Sequence, residues 1–521
     1  MNFDFRNMDT EELLSEKLAF PFLFTTYFVL SVYQHNINQV RLVEVIRPLI
    51  IFLTGTVSIY FFIKYFLSDF KAALITFVSS ISFYTYNIQV EYGLKPLLPL
   101  NVFGFNLARR RYLLLANAVL VTAISALIIY KELDKENLTK ILNIVTSFLL
   151  GLTLSGIVIG LSGPVNQNLE NNIEISAGSS VDESQPSIYY IIPDRYARGD
   201  VLRKQYGFDN KNFINSLRRD GFYVANESYA NYPFSYGSLG SSLNMQYLQD
   251  IGVDESVKQK QVYSILQDHQ VQKFLRSQDY RYHHIGLNYR ATAFNRNADH
   301  NINHMRIDFG GLSVSEFETN LLKNTPVIQV LNEAIIGRDK ATGNLKSVKS
   351  IRKISEKPER KFVFAHLMIP HPAFVFNATG DKIKPHSRPD LPRSEKYLGQ
   401  LQATNKFLNR TVDRIIENEG EDVIIIIQSD SGPGVEEAPE KWTQGKPETL
   451  RKRAGILNAV RAPELNGSKM YQRMTPVNTF RTIFNEYFKT GLKMKKDKVY
   501  FRENPPEHNF FQLENKTLHP E

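Results

Sequence analysis

Two carboxylates, a serine and two histidines stand where they could share one piece of chemistry. Asp194 follows the apolar run Ile188–Ile192, and Asp430 follows Val423–Ile427 across Gln428 and Ser429. A carboxylate just past the carboxyl end of a buried strand is where open α/β sheets bring groups to a ligand. Forty-one residues after Asp194, the stretch NYPFSYGSLGSSLNM puts Ser235 on a loop ahead of a helix. AHLMIPHPAF carries His366 and His371 out of another apolar run. Two strand-end carboxylates and a hydroxyl could converge on a metal ion, which lowers the pKa of a bound hydroxyl and makes it a nucleophile at neutral pH. The histidines could contact an oxyanion or deliver a proton to a leaving group. Each part alone has a plainer reading. A strand-end Asp is often a cap or turn residue, a Ser-rich stretch an ordinary loop, and a His pair a set of core hydrogen bonds.

Other constellations are weaker. Gly237, Ser238 and Gly240 lack the G-x-S-x-G spacing of a nucleophile elbow. With no cysteine, a thiolate nucleophile, a thiolate metal site and a disulfide are all excluded. His283 and His284 in YRYHHIGLNY read as strand residues. His300 and His304 in ADHNINH have the spacing of a helical metal pair, with a solvated loop as the plainer reading. Asn458, on a further strand, reads as structural.

The elements that must hold these residues divide the chain in two. A net charge of +9 over 521 residues is mild and forms no basic stripe. Nucleic acid is therefore not expected as a partner, while an anionic membrane surface or anionic substrate is. Five apolar runs, 18–34, 45–66, 71–87, 111–130 and 142–161, each come near the ~20 residues that cross a bilayer. Lys and Arg fall almost evenly on the two sides of these runs, so charge alone does not choose an orientation. We expect a membrane domain of about five transmembrane helices over 1–161, a polar linker over 162–187 and an α/β domain over 188–521. In that domain, strands at 188–192, in FYVA, from Phe362 and at 423–427 alternate with helices. One helix follows Asp209 and Asn210, with Phe213 and Leu217 inward and Gly221 as its stop. Another, in TPVNTFRTIFNEYF, has Thr475 as N-cap and Val477, Phe480, Phe484 and Tyr487 inward. This alternation implies a mostly parallel central sheet with helices on both faces. Residues 338–360 and 380–396 read as charged loops containing proline.

Asp194, Ser235, the His366–His371 segment and Asp430, in this order behind five apolar runs and a linker, resemble the alkaline phosphatase and sulfatase superfamily. Within it the resemblance is to membrane-anchored sulfatase-like hydrolases and transferases, such as lipoteichoic acid synthases and lipid A phosphoethanolamine transferases. It covers about 187–490. It implies an acidic metal ligand at the end of the first strand, here Asp194, and a Ser or Thr nucleophile that also touches the metal, here Ser235. It implies substrate contacts from a His-bearing strand exit, here His366 and His371. It further implies a late strand ending in Asp-His-Gly with both side chains on the metal; this chain reads Asp430-Ser431-Gly432. The relatives export their catalytic domain. The resemblance therefore implies a multi-pass protein of the cytoplasmic membrane whose C-terminal domain lies outside. Its substrates would be phosphate esters, ahead of sulfate esters, of a membrane lipid or envelope glycopolymer.

The cofactor expected is one divalent metal ion. The family's mixed oxygen and imidazole ligands suit zinc, whereas Asp194, Ser235, Asp430 and Ser431 offer oxygens only, which favours Mn²⁺ or Mg²⁺. The missing histidine supports a rival: a catalytically degenerate sulfatase-like domain that binds an anionic glycan, lipid or protein partner. A transporter with an appended domain would call for charged or broken mid-span residues, and the apolar runs supply none.

Overall fold

The computed structural model describes residues 17–89 (less 38–39 and 41), 110–162, 173–178 and 185–518, apart from short stretches in the last such as 328–332 and 384–389. The chain forms two compact units, 1–163 with 307–335 and 164–306 with 336–521. Strands are numbered along the chain: β1 (Ile188–Pro193), β2 (Tyr223–Val224), β3 (Arg281–Gly286), β4 (His300–Asn303), a short hairpin of β5 (Ile307–Phe309) and β6 (Leu312–Val314), β7 (Lys361–Leu367), β8 (Ile424–Gln428) and β9 (Asn458–Arg461).

The second unit is an α/β layer structure. Its sheet runs β2-β9-β8-β1-β7-β3-β4. β8, β1, β7, β3 and β4 are parallel, and β9 turns antiparallel between β8 and β2. The central strands β1, β7 and β8 are buried at every position, which is why they read as unbroken apolar runs. Alternate residues of β1 face different cores. Ile188, Tyr190 and Ile192 pack with Leu239, Val477 and Phe480 from the helices Ser235–Asn244 and Pro476–Tyr487. Tyr189 and Ile191 pack with Ile351, Leu401 and Val412 from Glu333–Ser355 and Arg393–Glu419. Helices thus cover both faces of a mostly parallel sheet, as expected from the alternation of strands and helices.

Three local expectations change. The stretch 338–360 is mostly helix, Glu333–Ser355. Ala341, Val348, Ile351 and Ile354 form its buried stripe beneath a surface dense in Lys and Arg, and that charge hid the helical period. His300 lies in β4 opposite His283 of β3, so its spacing to His304 is not helical; His304 itself lies outside the described residues. Thr475 does occupy the N-cap position, but its hydroxyl donates to Asp497 (2.7 Å). Asn231 Oδ1 instead accepts from Val477 N (2.8 Å) and caps the helix.

The first unit holds the helices Phe20–His35, Val43–Lys64, Asp69–Tyr84, Arg110–Tyr130 and Lys135–Ser162, one for each apolar run. Two of them, Val43–Lys64 and Lys135–Gly160, are long and apolar enough to cross a membrane, with 11% and 22% of their most apolar windows buried. Phe62 and Ile159 are 69% and 70% exposed. This unit also takes in 307–335, an excursion that the boundary at residue 188 did not include. Its helix Glu316–Lys323 opens with a Ser315–Glu318 capping box. Phe317 and Leu321 are buried among Phe24, Phe28 and Tyr33, and Glu318 accepts from Arg47 Nε (2.6 Å) and Nη2. Most of the linker, 162–187, lies outside the described residues.

Candidate metal centre

Strand register builds the site. Ile191 of β1 lies opposite Ile427 of β8, so three residues further on Asp194 and Asp430 leave the sheet at the same level. On the other side of β1, Ile192 lies opposite His366 of β7, and Asp194 N donates to Leu367 O (2.9 Å). All three side chains therefore emerge at the carboxyl edge of the sheet. One ligand atom from each of Asp194, His366 and Asp430 lies within 4.8 Å of the others, and all three residues are buried. His366 Nε2 is 3.8 Å from Asp194 Oδ2. Asp194 Oδ1, His366 Nε2 and Asp430 Oδ2 are buried atoms without a hydrogen-bond partner among the described residues.

Three orphaned acceptors in one buried place are costly unless something positive joins them. Burial and the neighbouring Asp430 charge push the Asp194 carboxyl well above the usual carboxylate range, with Arg195 and Arg453 opposing. Burial likewise holds His366 below its ordinary value, against the pull of Asp430. Two carboxylate oxygens and an imidazole nitrogen are a donor set that a divalent cation fits. The set also changes the expectation about the ion. His366, read from the sequence as a substrate contact, brings an imidazole to the carboxylates, so the donors are not oxygens only. Zinc is then as well suited as manganese.

The remaining ligands are secured by neighbours. Asp430 Oδ1 accepts from Arg195 N (3.2 Å). His366 Nδ1 faces Thr292 Oγ1 at 2.7 Å. Ser431 is fully buried; its hydroxyl donates to Asp430 Oδ1 (3.4 Å) and accepts from Arg453 Nη1 (3.0 Å). It thus links a guanidinium to the carboxylate and has little left to offer a metal. Burial and Arg195 hold Arg453 down to about 10. His371 Nδ1 donates to Pro372 O, and burial with Arg195 holds its imidazole down to about 4. That ring is neutral at pH 7, with Nε2 as its acceptor.

Ser235 is the half-buried first residue of the helix Ser235–Asn244. Among the described residues it makes no hydrogen bond to Asp194, His366 or Asp430. Tyr289 does reach this edge and lies edge-on to His366 (5.7 Å). Burial, then Tyr263, Asp430, Asp194 and Tyr236, raise the Tyr289 hydroxyl above its ordinary value. Thr292 and Arg453 carried no signal in the sequence: both sit in stretches with no periodicity or motif around them.

No family model matches the sequence, and no curated protein matches it. Its structural neighbours are sulfatases and other alkaline phosphatase superfamily proteins. One is the zinc complex of the C-terminal periplasmic domain of EcEptC from Escherichia coli, at 14% identity and TM-score 0.43, covering 66% of this chain and 96% of that one. An alkaline phosphatase superfamily protein from Vibrio parahaemolyticus has 11% identity and TM-score 0.41, over 67% of this chain and 79% of the other. BT1596, a 2-O GAG sulfatase, has 12% identity and TM-score 0.39, over 62% and 78%. Likenesses this distant leave the chemistry to be read from the side chains.

Proposed function

We propose that the chain is a membrane-anchored, metal-dependent hydrolase or transferase of phosphate esters. The observation that carries this reading is the convergence of three unpartnered, buried ligand atoms at the carboxyl edge of the sheet. Asp194, His366 and Asp430 hold the ion in this reading. When bound, a divalent ion there would acidify a serine hydroxyl and neutralise charge that develops on the transferring group. Ser235 Oγ forms the new bond to phosphorus as the bond to the leaving alcohol breaks. His371 Nε2, unprotonated at neutral pH, takes the serine proton and returns it to the leaving oxygen. Arg453 adds a fixed positive charge beside the carboxylates, where the equatorial oxygens of the phosphoryl group need one. Water or an acceptor hydroxyl then releases the group from Ser235.

The outward apolar surface of Val43–Lys64 and Lys135–Gly160 supports a bilayer around the first unit. We place the second unit outside the cytoplasmic membrane, with an envelope lipid or glycopolymer as substrate. A reporter fused after Glu521 should be active only in the exported compartment.

The test of the chemistry is metal content and turnover of bis(p-nitrophenyl) phosphate by the purified chain. We expect about one divalent ion per chain, zinc bound at least as well as Mn²⁺, and turnover lost on chelation. A chain with neither bound metal nor turnover would mark the degenerate binding domain instead. Strong preference for Mn²⁺ or Mg²⁺ over zinc would remove His366 from the ligand set.

A further inference from the structure

Residues beyond 490 lie outside the stretch that carries the family resemblance, yet they pack directly on the segment that holds Ser235. Two short strands, β10 (Tyr500–Arg502) and β11 (Phe510–Gln512), pair antiparallel. Tyr500 N donates to Asn231 O (2.8 Å), and the Tyr500 ring stacks on Tyr232 (5.6 Å). Phe510 lies parallel to Phe234 at 6.4 Å. The helix Ser235–Asn244 begins after Phe234 with no side-chain cap, and an uncapped first turn frays unless its surroundings hold it. Arg502 grips this start. Its guanidinium carbon lies 4.2 Å over the Phe234 ring and 5.6 Å from the Tyr236 ring, and its Nη1 donates to Tyr236 OH (2.6 Å). The Phe234 ring also closes on Gly237, where a Cβ would come within 2.2 Å of Phe234 Cε2; only glycine leaves room for it. The hydrogen bonds run on from Tyr236. With His508 Nδ1 donating to Val257 O (2.6 Å), Nε2 is left to accept from Tyr236 OH (3.2 Å). Arg502 also stands near the metal centre: after burial and Arg195, its charge is among those that hold Arg453 down.

We propose that Arg502 is a positioning residue for Ser235. The two residues it grips, Phe234 and Tyr236, flank the serine, so its stacking and its hydrogen bond fix the backbone from which Ser235 Oγ projects. A guanidinium suits this task because it is planar: it lies flat on a ring while an N–H at its edge reaches a hydroxyl. A reacting atom displaced by about 1 Å can lose about a hundredfold in rate. This step rests on the proposed reaction, in which Ser235 is the nucleophile. It makes the C-terminal strand pair part of the catalytic unit.

Clamp and chemistry are read separately, on full-length chain in detergent. In Arg502→Gln the amides of Gly237 and Ser238, which donate to Phe234 O (3.1 and 3.0 Å), should exchange with solvent about tenfold faster by mass spectrometry, while peptides of β1, β7 and β8 keep their protection. Unchanged exchange at Gly237 and Ser238 would overturn the assignment. With metal loaded, kcat for bis(p-nitrophenyl) phosphate should fall about a hundredfold in the same variant, with KM and metal content kept. Arg502→Lys keeps the charge without the plane and should recover only a small part of kcat. Full recovery would make Arg502 a plain charge and refute the positioning role. Tyr236→Phe removes only the hydroxyl. It should lower kcat about threefold to tenfold by itself and no further in the Arg502→Gln background, because the two residues act as a unit. Losses that simply multiply would refute the shared clamp. Should Arg502→Gln fail to fold, Tyr236→Phe carries the test through exchange of the same amides. If wild type turned nothing over, the proposed reaction would fail while the exchange still decided the clamp.

Discussion

The two ends of strand β7 bury charge in opposite ways. At the amino edge of the sheet, Lys361 is fully buried, yet its ammonium donates to Lys357 O (2.6 Å) and to Glu419 Oε1 (2.6 Å). Glu419 also accepts from Tyr189 OH. Five residues later, at the carboxyl edge, His366 meets Asp194 and Asp430, and each of the three keeps an orphaned atom. The amino edge is a closed network whose charges cancel; the carboxyl edge is an open one that leaves three buried polar atoms without a partner. A buried ion pair with every group satisfied belongs to the fold. A buried group of acceptors with no donor needs a ligand from outside, and so belongs to function.

The largest effects should fall at the open end. Asp430→Asn and Ser235→Ala should each lower turnover of bis(p-nitrophenyl) phosphate by about a thousandfold or more, on the order of 4 kcal/mol of barrier. One removes a ligand charge and the other the nucleophile. Yet Asp430→Asn should leave the metal-free fold as stable as before or more so, because it takes one of two like charges out of a buried site. A matching loss of stability would close the contrast between the two edges.

At the closed end the signs reverse. Lys361→Met leaves Glu419 buried without its cation, and should cost about 3–5 kcal/mol of stability by chemical denaturation. Turnover by the fraction that remains folded should be unchanged. A stable but inactive Lys361→Met chain would mean that the amino edge also serves the chemistry.

Histidines sharpen the same contrast. His284 is satisfied at both nitrogens, by Tyr282 OH (3.0 Å) and Thr292 O (2.8 Å). Burial holds it down to about 4 from 6.5. Because the folded state resists protonation, its stabilising contribution is full above pH 6.5. It is lost as the pH falls from 6.5 through 4, at most about 3 kcal/mol for that shift. The melting temperature of the metal-free chain should fall between pH 7 and pH 5, and His284→Gln should flatten part of that slope. A melting temperature that stays level across this range would count against the buried neutral ring.

Much of this was legible because parallel strands buried on both faces leave unbroken apolar runs. β1, β7 and β8 announce themselves, and with them the exits at Asp194, His366 and Asp430. Helices with one apolar face under a basic surface are harder. Glu333–Ser355 has its stripe at Ala341, Val348 and Ile351, but its lysines and arginines dominate the composition. The excursion at 307–335 is shorter than any pattern could assign. The role of His366 depended on register: only the pairing of Ile192 with His366 sets the imidazole level with Asp194. Ser431 raised the right question in the sequence, yet its answer, Arg453, lies on a different segment with no motif of its own.

The smallest effect tests the tautomer of His366. For Nε2 to present a lone pair to a cation, Nδ1 must carry the proton and donate it to Thr292 Oγ1, 2.7 Å away. Thr292 would then be a positioning residue, setting the ring without touching the ion. Thr292→Val keeps the shape and removes the acceptor, so it strands a buried N–H at a cost of about 1–3 kcal/mol in folding. Metal affinity should drop about 10–100-fold, while kcat at saturating metal stays close to wild type. Thr292→Ser restores an acceptor oxygen and should recover most of the affinity, which a purely structural role for the threonine methyl would not allow. If Thr292→Val binds metal as tightly as wild type, His366 is not among the ligands, and the two carboxylates must find their third donor elsewhere at the edge.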